Sequence, residues 1–224
     1  IVLTGCSSWD EAPAKIQWAS GVDQISAISS DIPNVGLKGD YFTTPLYMSD
    51  EFAPWEGSVM SIDPSGRGED RTGYAVLKML HGMLYLTAIG GLEGGYSDDT
   101  LEELSRIAKK QDVNYVVIES NFGDGMATQL LKPIMSRIHP CEIEEVRHNI
   151  QKEKRIIDTL EPVFNSHRLV VDQELIRKDY ELDMQHQLFY QMSRLTSAKG
   201  SLNYDDRVDV LSFAVGYWVD QMAR

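Results

Sequence analysis

Cysteine is nearly absent: 224 residues hold only Cys6 and Cys141, with no CxxC pair, and five scattered histidines show no zinc spacing. A disulfide-stapled scaffold and a cysteine-ligated zinc site are therefore not expected, and a reducing, intracellular setting is. Long apolar runs are missing too. The longest, Val210 to Val219, is interrupted by Ser212 and Gly216 and falls short of the roughly 20 residues that cross a bilayer. No basic-plus-apolar leader opens the chain and the first residue is Ile1, so the expectation is a soluble piece of something longer, without membrane contact. Positive charge is in deficit, with a net charge of −13, which opposes a general attraction for polyanions. No GxxxxGK[ST] loop occurs, so the phosphate cradle of an ATPase is lacking and no ATP hydrolysis is expected. Nor does any convincing Ser-His-Asp or Cys-His arrangement suggest a side-chain nucleophile.

What is present is ordinary globular material. A 42% hydrophobic, 25% charged chain with mean hydropathy −0.27 can bury one sizeable core. Its length suggests one domain with an appendage. Residues 1–57 carry Trp9, Trp18 and Trp55 among turn signals and lack a sustained helical period. We read them as an appendage or linker from a preceding domain, packed on the main domain by its aromatics, with Ile25 to Ile28 as a possible edge strand. Residues 58–224 form the main domain. Acid dominates the first hundred residues, 14 against 5 bases, so a polyanion site is expected in the second half.

The pattern sharpens at Ser58. Ser58 to Ile62 reads as a strand stopping at the turn signature Asp63-Pro64-Ser65-Gly66. Gly73 to Leu80 and Gly82 to Ile89 read as a hairpin about His81-Gly82. Ser97 with Asp98 and Asp99 caps a helix carrying Leu101, Leu104, Ile107 and Ala108. Tyr115 to Ile118 is a buried-type strand ending on Glu119, followed by the turn Phe122-Gly-Asp-Gly125. A helix from Met126 to Ile138 despite Pro133, a strand from Cys141 to Val146, a charged helix through Glu161, a strand Leu169 to Val171 and two helices over 173–196 follow. Val208, Leu211, Val215, Trp218 and Met222 place one apolar stripe on a long terminal helix. The order implies an α/β domain, a mixed sheet with helices on both faces.

Three acidic points stand out by position. Asp63 ends the first main strand, Glu119 ends the buried strand, and Asp205 and Asp206 open the terminal helix, with Asp209 one turn on. In α/β sheets the functional crevice lies beyond the carboxyl ends of the strands. If the Asp63 and Glu119 strands are adjacent and parallel, both carboxylates arrive there together, and the helix start can complete an oxygen-only cage. Crowded carboxylates repel until one is protonated or a hard cation binds. Such ligands suit magnesium or manganese. Taken singly, Asp63 also reads as a turn residue, and Asp205 and Asp206 as acids favoured by the helix dipole.

Trp55-Glu-Gly-Ser-Val-Met-Ser-Ile-Asp-Pro-Ser-Gly-Arg-Gly68, Val117-Ile-Glu-Ser-Asn-Phe-Gly-Asp-Gly125, Asp158-Thr-Leu-Glu-Pro162 with His167-Arg-Leu-Val170, and Tyr204-Asp-Asp-Arg-Val-Asp209 resemble the nuclease domain of the large terminase subunit of tailed bacteriophages. The type is that of short-tailed podoviruses, also named DNA maturase B. The resemblance covers the chain from about residue 52 onward and implies an RNase H-like fold. It further implies a metal-dependent endonuclease that cuts concatemeric DNA at the start and end of genome packaging. The catalytic acids it implies are Asp63, Glu119 and Asp206, with Asp205 and Asp209 as further metal ligands and two divalent cations, Mg2+ or Mn2+, as cofactors. Implied partners are double-stranded DNA, an ATPase motor domain of the same protein, the small terminase subunit and the portal or procapsid, in the cytoplasm of the infected bacterium.

Arg147, Lys152, Lys154 and Arg155, interrupted by Glu153 and extended by Arg168, Arg194 and Lys199, form the best basic run and the expected DNA track. A solvated helix face is the plainer alternative for it. Gly90-Gly91 and Gly94-Gly95 match neither GxGxxG nor the P-loop and are expected in a loop before the first helix. A second function class is a catalytically silent DNA-holding or docking module in which the acids are structural.

Overall fold

A computed structural model describes residues 2–4, 11–18, 28–65, 71–120 and 125–223. Among them the strands are β1 (Val2–Thr4), β2 (Glu11–Pro13), β3 (Ile16–Gln17), β4 (Tyr47–Met48), β5 (Phe52–Pro54), β6 (Gly57–Asp63), β7 (Thr72–Leu80), β8 (Met83–Leu92), β9 (Tyr115–Glu119), β10 (Glu142–Val146) and β11 (Leu169–Asp172). The helices are α1 (Asp98–Lys110), α2 (Met126–Ile138), α3 (Lys152–Asn165), α4 (Gln173–Tyr180), α5 (Leu188–Arg194) and α6 (Asp206–Met222). Seven strands make one sheet in the order β1-β11-β8-β7-β6-β9-β10. Strand β7 is antiparallel to both neighbours, and every other pairing in this sheet is parallel. No described helix is long and apolar enough to cross a membrane.

The hairpin forms because His81 and Gly82 both take positive φ, 51° and 76°, as a two-residue turn matching strand twist requires. Ser97 caps α1 by accepting from the Thr100 N–H, with Asp98 and Asp99 in the first turn and Lys109 and Lys110 in the last, each at its favoured dipole end. Helix α2 runs through Pro133, whose face is exposed, so water can serve the carbonyl left without a donor.

Alternation along β6 and β9 divides the core. Met60, Ile62, Val116 and Ile118 pack under α1 and α2. Val59 and Val117 face the opposite layer, built from α3 to α6. Both faces are covered, so β6 is buried from Ser58 to Ile62.

Three local expectations change. Gly90 and Gly91 lie inside β8 rather than in a loop, because side chains press on them: a Cβ on Gly90 would sit 2.5 Å from the Tyr74 hydroxyl oxygen. Gly94 and Gly95 do form the turn, at φ 103° and 56°. Helix α6 is not a one-stripe helix. Every residue from Arg207 to Val215 is buried, because α3 and α5 cover the side away from the sheet, while Met222 is exposed.

The segment before residue 58 contributes β1, which extends the main sheet beside β11, and two small antiparallel pairs, β2 with β5 and β3 with β4. The main sheet thus takes a strand from before residue 58. Trp55 packs edge-on to Tyr85 at 4.8 Å and Trp18 lies 6.0 Å from the His167 ring. Ile28 bridges to Thr43; Trp9, Cys6 and residues 25–27 lie outside the described residues, as does most of the turn after Ser120.

Candidate metal centre

Strands β6 and β9 are adjacent and parallel, with Ser61 opposite Val117 and Ile62 opposite Ile118. Asp63 and Glu119 are next in step. The two-residue side-chain period puts Asp63 on the face of Val59 and Ser61, and Glu119 on that of Val117, both toward α6.

Helix α6 reaches them because the sheet is shaped to receive it. Gly73 and Gly91 face each other across the β7–β8 ladder, and a Cβ on Gly73 would come within 3.0 Å of the Asp206 carbonyl oxygen. At the far end, a Cβ on Gly57 would press to 2.7 Å on the Trp218 ring. The Ser61 hydroxyl donates to the Val210 carbonyl at 2.6 Å, and Trp218 Nε1 to the Leu77 carbonyl at 3.2 Å. So docked, the first turn lowers Asp209 onto the strand ends.

Asp63, Glu119 and Asp209 each offer a carboxylate oxygen within 4.8 Å of the others, the one such group found among the described residues. Asp63 and Glu119, with Asp205 and Asp206, line a cleft of about 660 Å³ that also carries Arg71, Tyr96, Ile150 and Tyr204. Asp209 is fully buried, but its charge is answered: Lys152 Nζ lies 2.9 Å from Oδ2 and Arg155 Nη2 2.7 Å from Oδ1. Arg155 also lies over the Phe213 ring at 4.3 Å.

The pKa values of the Asp63 and Glu119 carboxyls are displaced in opposite directions. Burial, then the charges of Asp209 and Glu119, push the Asp63 carboxyl well above its ordinary value of 3.8, with Lys152 opposing. Burial also pushes Glu119 up, but His148, the Arg155 charge and the hydrogen bond from Asp63 outweigh it and hold Glu119 below its ordinary 4.5. His148 Nδ1 stands 3.7 Å from Glu119 Oε1, its ring stacked on Phe213. Burial opposes the Lys152 charge, yet Asp209 and Asp205 raise its pKa above the ordinary 10.5. Asp63 thus resists ionisation in a place where a cation would relieve the same repulsion. An all-oxygen, hard donor set at an open cleft fits Mg2+ or Mn2+.

The helix acids separate in a way spacing alone did not decide. Asp205 is paired with Lys152 at 2.8 Å. Asp206, the expected third member, is not in the cluster: its Oδ1 accepts from Gln191 Nε2 at 3.0 Å. Asp205 and Asp209, four residues apart, share a helix side, whereas Asp206 turns toward α5.

The basic run is likewise not one surface. Lys152 and Arg155 share the inward side of α3 and are engaged by Asp205 and Asp209, with Arg155 only 9% exposed. Lys154 points outward and Arg147, also exposed, donates through Nε to Ser120 Oγ at 3.2 Å. The 152/155 spacing carried the signal for two cations facing inward. For His148 and Gln191 the sequence offered no motif.

The strand order and its acid-bearing cleft define an RNase H-like domain with a cation-compatible centre. Residues 62–169 match the family described as Terminase Bacteriophage T7, Ribonuclease H-like domain. The large terminase subunit of Enterobacteria phage T3 is 42% identical over 217 residues, 93% of this chain and 36% of that protein, so the chain spans about a third of its relative. A manganese-soaked, inhibitor-bound human cytomegalovirus terminase nuclease domain superposes with TM-score 0.55 at 14% identity, over 75% of this chain and 85% of the other. The large terminase nuclease of thermophilic phage G20c gives 0.51 at 14%, over 71% and 81%. At such identities the likeness is one of fold.

Proposed function

We propose that this chain is the metal-dependent DNA endonuclease domain of a phage packaging terminase, cutting concatemeric DNA when packaging starts and stops. The observation that carries it is the convergence of Asp63, Glu119 and Asp209 within 4.8 Å at the carboxyl ends of two parallel strands. These three hold the cations. Bound as a pair, the cations would supply an activated water and stabilise the leaving 3′ oxygen of the phosphodiester. A bound cation would offset the crowding that makes Asp63 hard to ionise, and Lys152 and Arg155 keep Asp209 in place. The nuclease unit is residues 58–224 together with β1, which joins their sheet, and the rest of residues 1–57 is the connection from a preceding ATPase motor domain. The full protein works on double-stranded DNA with the small terminase subunit and the portal, in the cytoplasm of the infected bacterium.

Supercoiled plasmid incubated with the chain is expected to be nicked and then linearised with Mn2+ or Mg2+, and left intact in EDTA. Full cleavage in EDTA would overturn the metal reading. No cleavage with either metal, the fold being intact, would favour a DNA-holding module of the motor.

A further inference from the structure

Helix α6 starts without a cap of its own. Asp205, at the cap position, makes no capping hydrogen bond and turns its carboxylate to Lys152. The acceptors that a helix's first N–H groups need come instead from α5. Gln191 Oε1 accepts from the backbone N–H groups of Arg207 and Val208, both at 3.1 Å. Its Nε2 donates to Asp206 Oδ1 at 3.0 Å and to the Gln185 carbonyl at 3.1 Å. Gln191 is fully buried, with two donors on one side and two acceptors on the other. An amide satisfies all four, whereas a carboxylate has no hydrogen to donate and an apolar chain satisfies none.

Helix α5 is seated by a similar loan. Asp179, in the last turn of α4, accepts from the Leu188 N–H at 2.8 Å and the Phe189 N–H at 3.2 Å. Arg207, one residue into α6, closes the circuit with Nη1 3.9 Å from Asp179 Oδ1. The first turn of α6 is thus gripped from α5 on one side and from the sheet, through Ser61 and Val210, on the other. Asp209 lies in that turn, its N–H bonded to the Asp205 carbonyl at 2.9 Å.

Resting on the nuclease reading above, we propose that Gln191 is a positioning residue for the metal centre. It touches no member of the acidic cluster in its hydrogen bonds. It fixes the helix turn that sets Asp209 against Asp63 and Glu119, and it holds the neighbouring Asp206 carboxylate away from them. Partners that orient ligands from behind are typically worth about 10-fold to 100-fold in metal affinity.

The test compares Gln191→Met, which keeps volume but removes both polar groups, with Leu188→Ala, a core truncation on the same helix. Mn2+ affinity is measured by calorimetry, alongside the Mn2+ concentration giving half-maximal plasmid nicking and the melting temperature. Gln191→Met is expected to weaken Mn2+ binding about 10-fold and to move the nicking midpoint equally. Leu188→Ala should lower the melting temperature with the Mn2+ affinity unchanged. Wild-type Mn2+ affinity in folded Gln191→Met would overturn the proposal and leave Gln191 a helix cap only. If that variant does not fold, Gln191→Asn, which keeps the amide one methylene short, must shift affinity in the same direction, and no shift there also overturns it. Failure of the unsubstituted chain to bind Mn2+ or nick would instead sink the nuclease reading.

Discussion

The acidic centre has two sides that are built differently. The strand side, Asp63 and Glu119, is set by register alone: two parallel strands in step deliver two carboxylates, and burial and neighbouring charge raise the pKa of Asp63. On the helix side Asp209 is fully buried, held by two cations and by a docked helix whose start is capped from α5. Burial raises the carboxyl pKa on both sides, opposed at Asp63 by Lys152 and at Asp209 by ion pairs to Lys152 and Arg155. Asp63 therefore opposes stability when ionised, Glu119, held below its ordinary value, does not, and the helix acid bridges α3 to α6 through its ion pairs. An acidic centre can thus hold its carboxylates ready for a cation at very different structural cost.

Neutralising the two sides should separate them. The largest effect is expected for Asp209→Asn, which leaves Arg155 and Lys152 without their buried counter-charge. Metal-dependent nicking should vanish and urea unfolding should show a loss on the order of 3 kcal/mol. Unchanged stability would place those cations elsewhere in solution.

Asp63→Asn should be equally inactive with the opposite effect on folding. The Asp63 carboxyl titrates higher in the folded chain than in the unfolded one. Its contribution is fully present below its ordinary value near 3.8 and is lost as pH rises through the raised value. Metal-free Asp63→Asn is therefore expected to melt above the unsubstituted chain at pH 7 to 8 and to converge with it toward pH 4. A variant that melts lower at neutral pH would refute the raised Asp63 carboxyl pKa.

Asp206→Asn sharpens the helix side. Standing outside the cluster, Asp206 should leave measurable Mn2+-dependent nicking when changed, with a stability loss of about 1 kcal/mol for one altered hydrogen bond. Nicking assays at matched Mn2+ would decide, and a dead Asp206→Asn beside an active Asp209→Asn would reverse the assignment. The smallest effect belongs to the exposed cations. Arg147→Ala and Lys154→Ala should each flatten the log–log salt dependence of DNA binding by about one unit if they meet phosphates. An unchanged slope would make them a solvated face.

Much of the strand side was legible. Alternation in Val59 to Asp63, the apolar run at Tyr115, and acids at both strand ends needed only a parallel pairing to converge. On the helix side, three acids within five residues were visible but not rankable, because their roles depend on which way α6 is turned. Gly91 was misplaced into a loop for a related reason: its place in β8, beneath the α6 start, comes from a distant helix. The basic run does not form one surface, because positions 152 and 155 turn one way on a helix and 154 another.

By itself the sequence determined the order of strands and helices from residue 58 onward, the hairpin, the cap of α1 and the two strand-end carboxylates, all products of neighbours within a few residues. Only the tertiary structure decided that Asp209 rather than Asp206 completes the cluster, that Lys152 and Arg155 face inward, and that Gln191 caps α6. Those outcomes depend on contacts between segments from 15 to about 150 residues apart, where a buried polar group takes whichever partner the packed elements bring within reach.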